Sequence, residues 1–232
     1  MLRPHLLGAP ALRFNSSVRV TVDGNSIYAG NGTSPIATLL AARTALSGAT
    51  FASTAISGQT WRQMDGLDTG SSADVDASIA TAGKINILVC GEGTNSVDPA
   101  QSNLDGPSVV SAVTAYIANR KTANSKVFVV LCSALPRGPF DASNVARNTA
   151  LNFSDAAFFA NPSGVGAHRY VNMRGYPAFS HDGFTLANFE AFADVWSDSP
   201  DYVHPTLTGV AAMVDRIESA LLSIRAADVQ IT

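Results

Sequence analysis

Two short runs limit what this chain can fold into more than any other feature. Ile85–Cys90 and Val127–Cys132 are almost wholly apolar and rich in β-formers. A strand that is apolar on both faces belongs inside a parallel sheet covered on both sides. Three further runs read as strands: Val18–Asp23, a weaker one at Ala49–Ile56, and Arg169–Met173. Segments of helical periodicity lie between and after them. Pro35–Leu46 places Ile36, Leu39, Leu40 and Leu46 at helical spacing. Asp74–Ala82 reads as a short helix, Pro107–Asn119 starts with proline, and Asn144–Phe159 is rich in alanine. Thr206–Ala226 carries Val210, Met213, Val214, Ile217, Leu221 and Leu222 on one side. This alternation predicts an α/β fold with a five-stranded parallel sheet and helices on both faces. Open sheets of this kind bind ligands at the carboxyl ends of their strands. The loops after Asp23, Ile56, Cys90, Cys132 and Met173 are therefore where function is expected.

The 232 residues suit one large domain, read as 18–232, preceded by an arm at 1–17 that Pro4, His5 and Pro10 interrupt. Phe179–Pro200 is the longest stretch without periodicity and is expected to wrap the sheet edge or rim a site. Charged residues make up only 14% of the chain and apolar ones 46%, which argues against disorder. The net charge is −3, and the densest cationic cluster is Arg120-Lys121. No basic stripe marks a nucleic-acid partner. No apolar stretch reaches the roughly 20 residues of a membrane span, and the N-terminal apolar run is too short for a signal peptide. The expectation is a cytoplasmic protein, or part of a larger phage or cell-surface assembly. Cys90 and Cys132 are too few for a disulfide framework and read as buried free thiols, close together if their strands are neighbours.

Four loop segments carry groups suited to chemistry. Asp23-Gly24-Asn25-Ser26 joins a strand to a helix, placing Ser26 at the sheet edge beside outward-pointing backbone N–H groups. Ser57-Gly58-Gln59-Thr60 contains a glycine able to present an unobstructed N–H. Gly91-Glu92-Gly93-Thr94-Asn95-Ser96 offers the Asn95 amide to a developing negative charge. Its glycines could instead cradle phosphate, though their spacing matches neither the P-loop nor the dinucleotide fingerprint. Asp201-Tyr202-Val203-His204 supplies a base and a carboxylate to orient it. Each segment alone is equally an ordinary turn or cap. His5, His168 and His181 lack metal-ligand spacing and read as surface or structural residues, with His181 a further pocket candidate.

Taken in order, GNS, SGQT, GTNS and DYVH resemble the four blocks of the SGNH hydrolases, the GDSL-type esterases and lipases. The resemblance runs from about Val18 to the terminal helix. It implies a flavodoxin-like three-layer α/β/α sandwich. It also implies roles for individual residues: Ser26 as nucleophile, His204 as general base, and Asp201 as its orienting acid. The Ser26 and Gly58 amides and the Asn95 side chain would form the oxyanion hole. Neither metal nor organic cofactor is implied. Two positions depart from the family pattern: Asn25 stands where aspartate usually precedes the nucleophile, and Ser96 where aspartate usually closes the third block. The implied reaction is ester hydrolysis through an acyl-enzyme. Trp61, Tyr28 and Trp196 lie near small polar loop residues, a composition suited to a carbohydrate surface, with core packing expected for at least one of them. The reading is a short-acyl, acetyl-type esterase acting on a small-molecule or glycan ester. The alternatives are a non-catalytic glycan-binding domain on the same fold and a module binding a phosphorylated ligand through Gly91–Asn95.

Overall fold

The computed structural model describes residues 10–31, 33–66, 70–136, 142–173, 176, 179, 192, 195 and 203–232, without the side chains of 142–144. Five strands form one parallel sheet: β1 (Val18–Gly24), β2 (Thr50–Ser53), β3 (Ile85–Gly91), β4 (Phe128–Cys132) and β5 (Arg169–Val171). Their order is β2-β1-β3-β4-β5, the flavodoxin-like order, which changes direction between β1 and β3. The register places Gly24 opposite Gly91 at the carboxyl ends of these two strands. The loops carrying Ser26 and Asn95 therefore leave the sheet side by side.

Seven helices accompany the strands among the described residues. They are α1 (Ser26–Ala29), α2 (Ile36–Ala41), α3 (Trp61–Met64), α4 (Ser72–Ile79), α5 (Gly106–Ala123), α6 (Ala142–Ala160) and α7 (Leu207–Leu222). Alternating strand residues feed two cores. Val20, Val22, Ile87, Val89 and Val130 pack with Ile36 and Leu40 of α2 and Met213, Val214 and Ile217 of α7. Leu88, Val129 and Leu131 pack with Trp61, Val75, Val113, Ile117 and Leu151 of α3–α6. Leu12 and Phe14, from the stretch read as an arm, are buried in the first core, and the Leu12 N–H donates to the Ile224 carbonyl at 2.8 Å.

The second face of β1 is polar. Thr21 Oγ1 lies 2.6 Å from Ser78 Oγ, and the Arg19 guanidinium donates to the same hydroxyl. The helix expected over Pro35–Leu46 ends at Ala41, and Thr44–Leu46 is a separate 3-10 turn. Arg43 adopts extended backbone there, and its side chain meets Asp215 and Glu218 on α7. Cys90 and Cys132 do lie on adjacent strands, but Cys90 faces the α3–α6 core and Cys132 the α2–α7 core. Both are free thiols, and burial pushes Cys132 up to about 12 and raises Cys90, so both stay protonated near neutrality. Arg120 is turned inward rather than forming a surface cation patch, paired with Asp76 at 2.9 Å and Asp65 at 3.7 Å. No helix among the described residues is long and apolar enough to cross a membrane.

Candidate active site

The site is built where β1 and β3 end. Gly24 and Gly91 are close neighbours with almost no space above them. A Cβ on Gly24 would lie 2.5 Å from the Gly91 carbonyl and 2.6 Å from the Tyr28 ring, and one on Gly91 would lie 2.0 Å from the Tyr28 hydroxyl. The glycines therefore admit the Tyr28 side chain from α1, which turns the chain sharply after the strand. Gly93 likewise makes room for Ala134 and Leu151. Side chains of the chain itself thus occupy the space beside Gly91 and Gly93.

Asn25 caps α1, its side-chain oxygen accepting the Ile27 N–H at 3.0 Å. Ser26 is the first residue of the helix and is nearly buried. Its hydroxyl lies 2.8 Å from Nε2 of His204, a residue 178 positions further along the chain. His204 precedes α7, whose N-cap Thr206 accepts the Gly209 N–H. Asp201, the expected orienting acid, lies outside the described residues, as do His5, His181 and Trp196.

The loops that carry Gly58 and Asn95 are tied to the Ser26 turn by a closed circuit of hydrogen bonds. The Asn25 side-chain amide donates to Thr94 Oγ1 at 3.0 Å. The neighbouring Asn95 amide donates to the Gln59 carbonyl at 3.1 Å. The Gln59 side-chain amide in turn donates to the Gly24 carbonyl at 2.6 Å. Gly58 sits in an exposed turn closed by Gln59 N–H donating to the Ile56 carbonyl, and its φ of +83° is one that glycine adopts without strain.

Three residues not singled out as candidates from the sequence organise this circuit. Glu92 is buried, and its carboxylate accepts the Asn95 N–H at 2.7 Å, the Ser96 N–H at 3.3 Å and the Ser96 hydroxyl. Ser96 thus binds a carboxylate where the family pattern places one, and its Oγ also accepts the Trp61 N–H. Burial raises the Glu92 carboxyl above its ordinary range while these bonds oppose the rise. The second residue is Gln59. The third is Asp23, fully buried on the polar face of β1. Its carboxylate accepts from Tyr116 at 2.7 Å, Ser71 at 3.0 Å, Thr54 at 3.2 Å and Gln59 at 3.4 Å. A carboxylate between glycines, or one ending a strand, in a chain so poor in charge was the available signal for the two acids.

Burial nevertheless pushes the Asp23 carboxyl up from 3.8 to about 6, against the pull of its hydrogen bonds. Between those values the folded chain binds the proton more tightly than the unfolded chain. The stability contribution of Asp23 is therefore greatest in acid and is lost as pH rises through about 6, by up to roughly 3 kcal/mol. Urea unfolding of the wild type and Asp23→Asn should show this directly. The stability difference should favour the wild type more at about pH 4 than at about pH 7. Parallel pH curves would mean that Asp23 titrates normally.

The aromatic residues correct part of the carbohydrate expectation. Trp61 and Tyr28 are 1% and 3% exposed, so both are core side chains and neither offers a stacking surface. His168 is structural: its Nδ1 accepts the Val129 N–H at 2.9 Å, and its ring stacks on Phe128. Among the described residues no cluster of three or more His, Cys, Asp or Glu side chains is arranged to hold a metal ion.

Solved structures of similar fold include hydrolases. An acetylxylan esterase from Geobacillus stearothermophilus superimposes with a TM-score of 0.62 at 14% identity, covering 93% of this chain and 100% of that one. The fold is that of the SGNH hydrolases. A GDSL-like lipase from Bacteroides thetaiotaomicron shares this SGNH fold with a TM-score of 0.58 at 19% identity, over 89% of this chain and 88% of its own. No family model matches the sequence, and no curated protein matches it.

Proposed function

We propose that this chain is a serine esterase that hydrolyses short-acyl esters, above all acetyl esters carried on carbohydrate. The observation that carries the reading is the 2.8 Å contact between Ser26 Oγ and His204 Nε2 at the β1/β3 switch point. Serine needs a base to attack a carbonyl near neutral pH, and imidazole is suited to that task. In the proposed reaction His204 takes the Ser26 proton as Oγ bonds to the ester carbonyl carbon. The negative charge moves to the carbonyl oxygen, where the Ser26 and Gly58 N–H groups and the Asn95 amide meet it. Collapse expels the alcohol, which receives the proton from His204. Water then repeats the sequence on the acyl-enzyme and releases the acid. Asp201 is assigned to orienting the imidazole.

The Asn95 carboxamide nitrogen carries two hydrogens, and the bond to Gln59 uses one, leaving one for the oxyanion. Asn95→Ala should therefore lower kcat on p-nitrophenyl acetate by on the order of 10²–10³-fold with little change in KM. An unchanged kcat would remove Asn95 from the oxyanion hole.

The acetyl preference draws support from the acetylxylan esterase that shares the fold. A panel of acetylated sugars and p-nitrophenyl esters of increasing chain length tests the assignment. Acetyl substrates should be preferred, and strong preference for long chains would overturn it. A non-catalytic glycan-binding domain would turn over none of them.

A further inference from the structure

The oxyanion hole assigned above draws on three separate loops, and one buried residue, through its side chain and its backbone together, touches the supports of all three. Gln59 is only 3% exposed. Its side-chain nitrogen donates to the Gly24 carbonyl at 2.6 Å, two residues before Ser26, and to Asp23 at 3.4 Å. Its side-chain oxygen accepts the Ser71 N–H at 3.3 Å. Its own carbonyl accepts the Asn95 side-chain amide at 3.1 Å, and its N–H closes the turn that contains Gly58. Asp23 is in turn anchored by Tyr116 from α5, by Ser71 beside α4 and by Thr54 after β2.

A buried amide requires partners for both its donor and its acceptor, so an apolar side chain would fill this space more simply if packing were the only demand. The planar carboxamide instead connects a carbonyl of the nucleophile turn with an N–H at the start of α4. Its backbone meanwhile directs the two other oxyanion donors. We propose that Gln59, locked by Asp23, is the positioning residue of the oxyanion hole: it sets where the Gly58 and Asn95 donors stand relative to Ser26. The inference rests on the esterase reading. Donors aimed at an oxyanion act only when held close to the productive geometry, and a displacement of about 1 Å can cost on the order of 10²-fold.

The test is a double-mutant comparison on p-nitrophenyl acetate with Gln59→Met, Asn95→Ala and the pair together. Gln59→Met keeps the length of the side chain and removes its hydrogen bonds. It should lower kcat roughly 10–100-fold and leave KM within about 3-fold. Inhibition by a boronic acid, whose tetrahedral adduct places an oxygen in the same hole, should weaken in step with kcat/KM. The double variant should lose clearly less than the product of the two single losses, because the displacement caused by Gln59→Met acts through the Asn95 donor that the second change removes. Gln59→Leu serves the same comparison where Gln59→Met does not fold. A purely structural role predicts a lowered Tm with kcat and boronate binding unchanged, and that result, or single losses that multiply, overturns the proposal. The wild type and Ser26→Ala, run alongside, separate the two claims. A wild type inactive on every ester removes the esterase reading and this inference with it, whereas an active wild type with multiplying losses removes this inference alone.

Discussion

Ser26→Ala is expected to lower p-nitrophenyl acetate turnover by roughly 10⁴-fold or more while leaving the fold intact. The hydroxyl is the only atom removed, and it faces His204 rather than the core. The turn itself is held by other groups. Asn25 caps α1, Gly24 and Gly91 accommodate Tyr28, and Gln59 binds the Gly24 carbonyl. Thermal unfolding of the variant should therefore track the wild type closely. Covalent labelling by an organophosphonate should disappear in the same variant. Residual turnover from the remaining oxyanion donors is expected, because transition-state charge is still stabilised without the nucleophile. Undiminished activity would assign the chemistry to another group. The thiols are poor substitutes, since both are buried and protonated.

Trp61→Ala is expected to destabilise the protein by about 3–5 kcal/mol, which corresponds to a Tm lowered by roughly 10 °C for a domain of this size. Trp61 is among the largest fully buried side chains, tilted against Tyr116 with ring centroids 5.4 Å apart. Its indole N–H donates to the Glu92 carbonyl at 3.0 Å, and truncation leaves that buried acceptor without this partner. Activity should fall as well, because Trp61 supports the loop that carries Asn95. Chemical denaturation and kcat measured on the same preparation would show both effects. A stability change under about 1 kcal/mol, together with weakened sugar binding, would restore Trp61 to a substrate surface.

Much of the fold was legible because periodicity reports burial directly. Ile85–Cys90 and Val127–Cys132 could be stable only as interior strands, and they became β3 and β4. The stripe from Val210 to Leu221 required a sheet to cover it, and α7 lies on one. Short elements were harder to read. Trp61–Met64 is a single helical turn stabilised by the reciprocal capping of Thr60 and Gln63, too brief to show a period. The helix from Pro35 ends at Ala41, and Arg43 just beyond it meets Asp215 on α7, a long-range contact that local spacing does not encode.

By itself, the sequence determined which residues could react and roughly which strand end each would occupy. A serine, an asparagine and a histidine in glycine-rich or capping segments are local facts, and chain order carried the family resemblance. Only the tertiary structure decided that Ser26 and His204 come within 2.8 Å across 178 positions, because that distance depends on strand order and on the packing of α7. It also placed both Trp61 and Tyr28 in the core, where core packing was expected for at least one of the aromatics, and brought in Asp23, Gln59 and Glu92. Buried polar groups of that kind are stable only when their partners arrive from other parts of the chain. Those partners lie as far away as Tyr116 is from Asp23, beyond the reach of any local pattern.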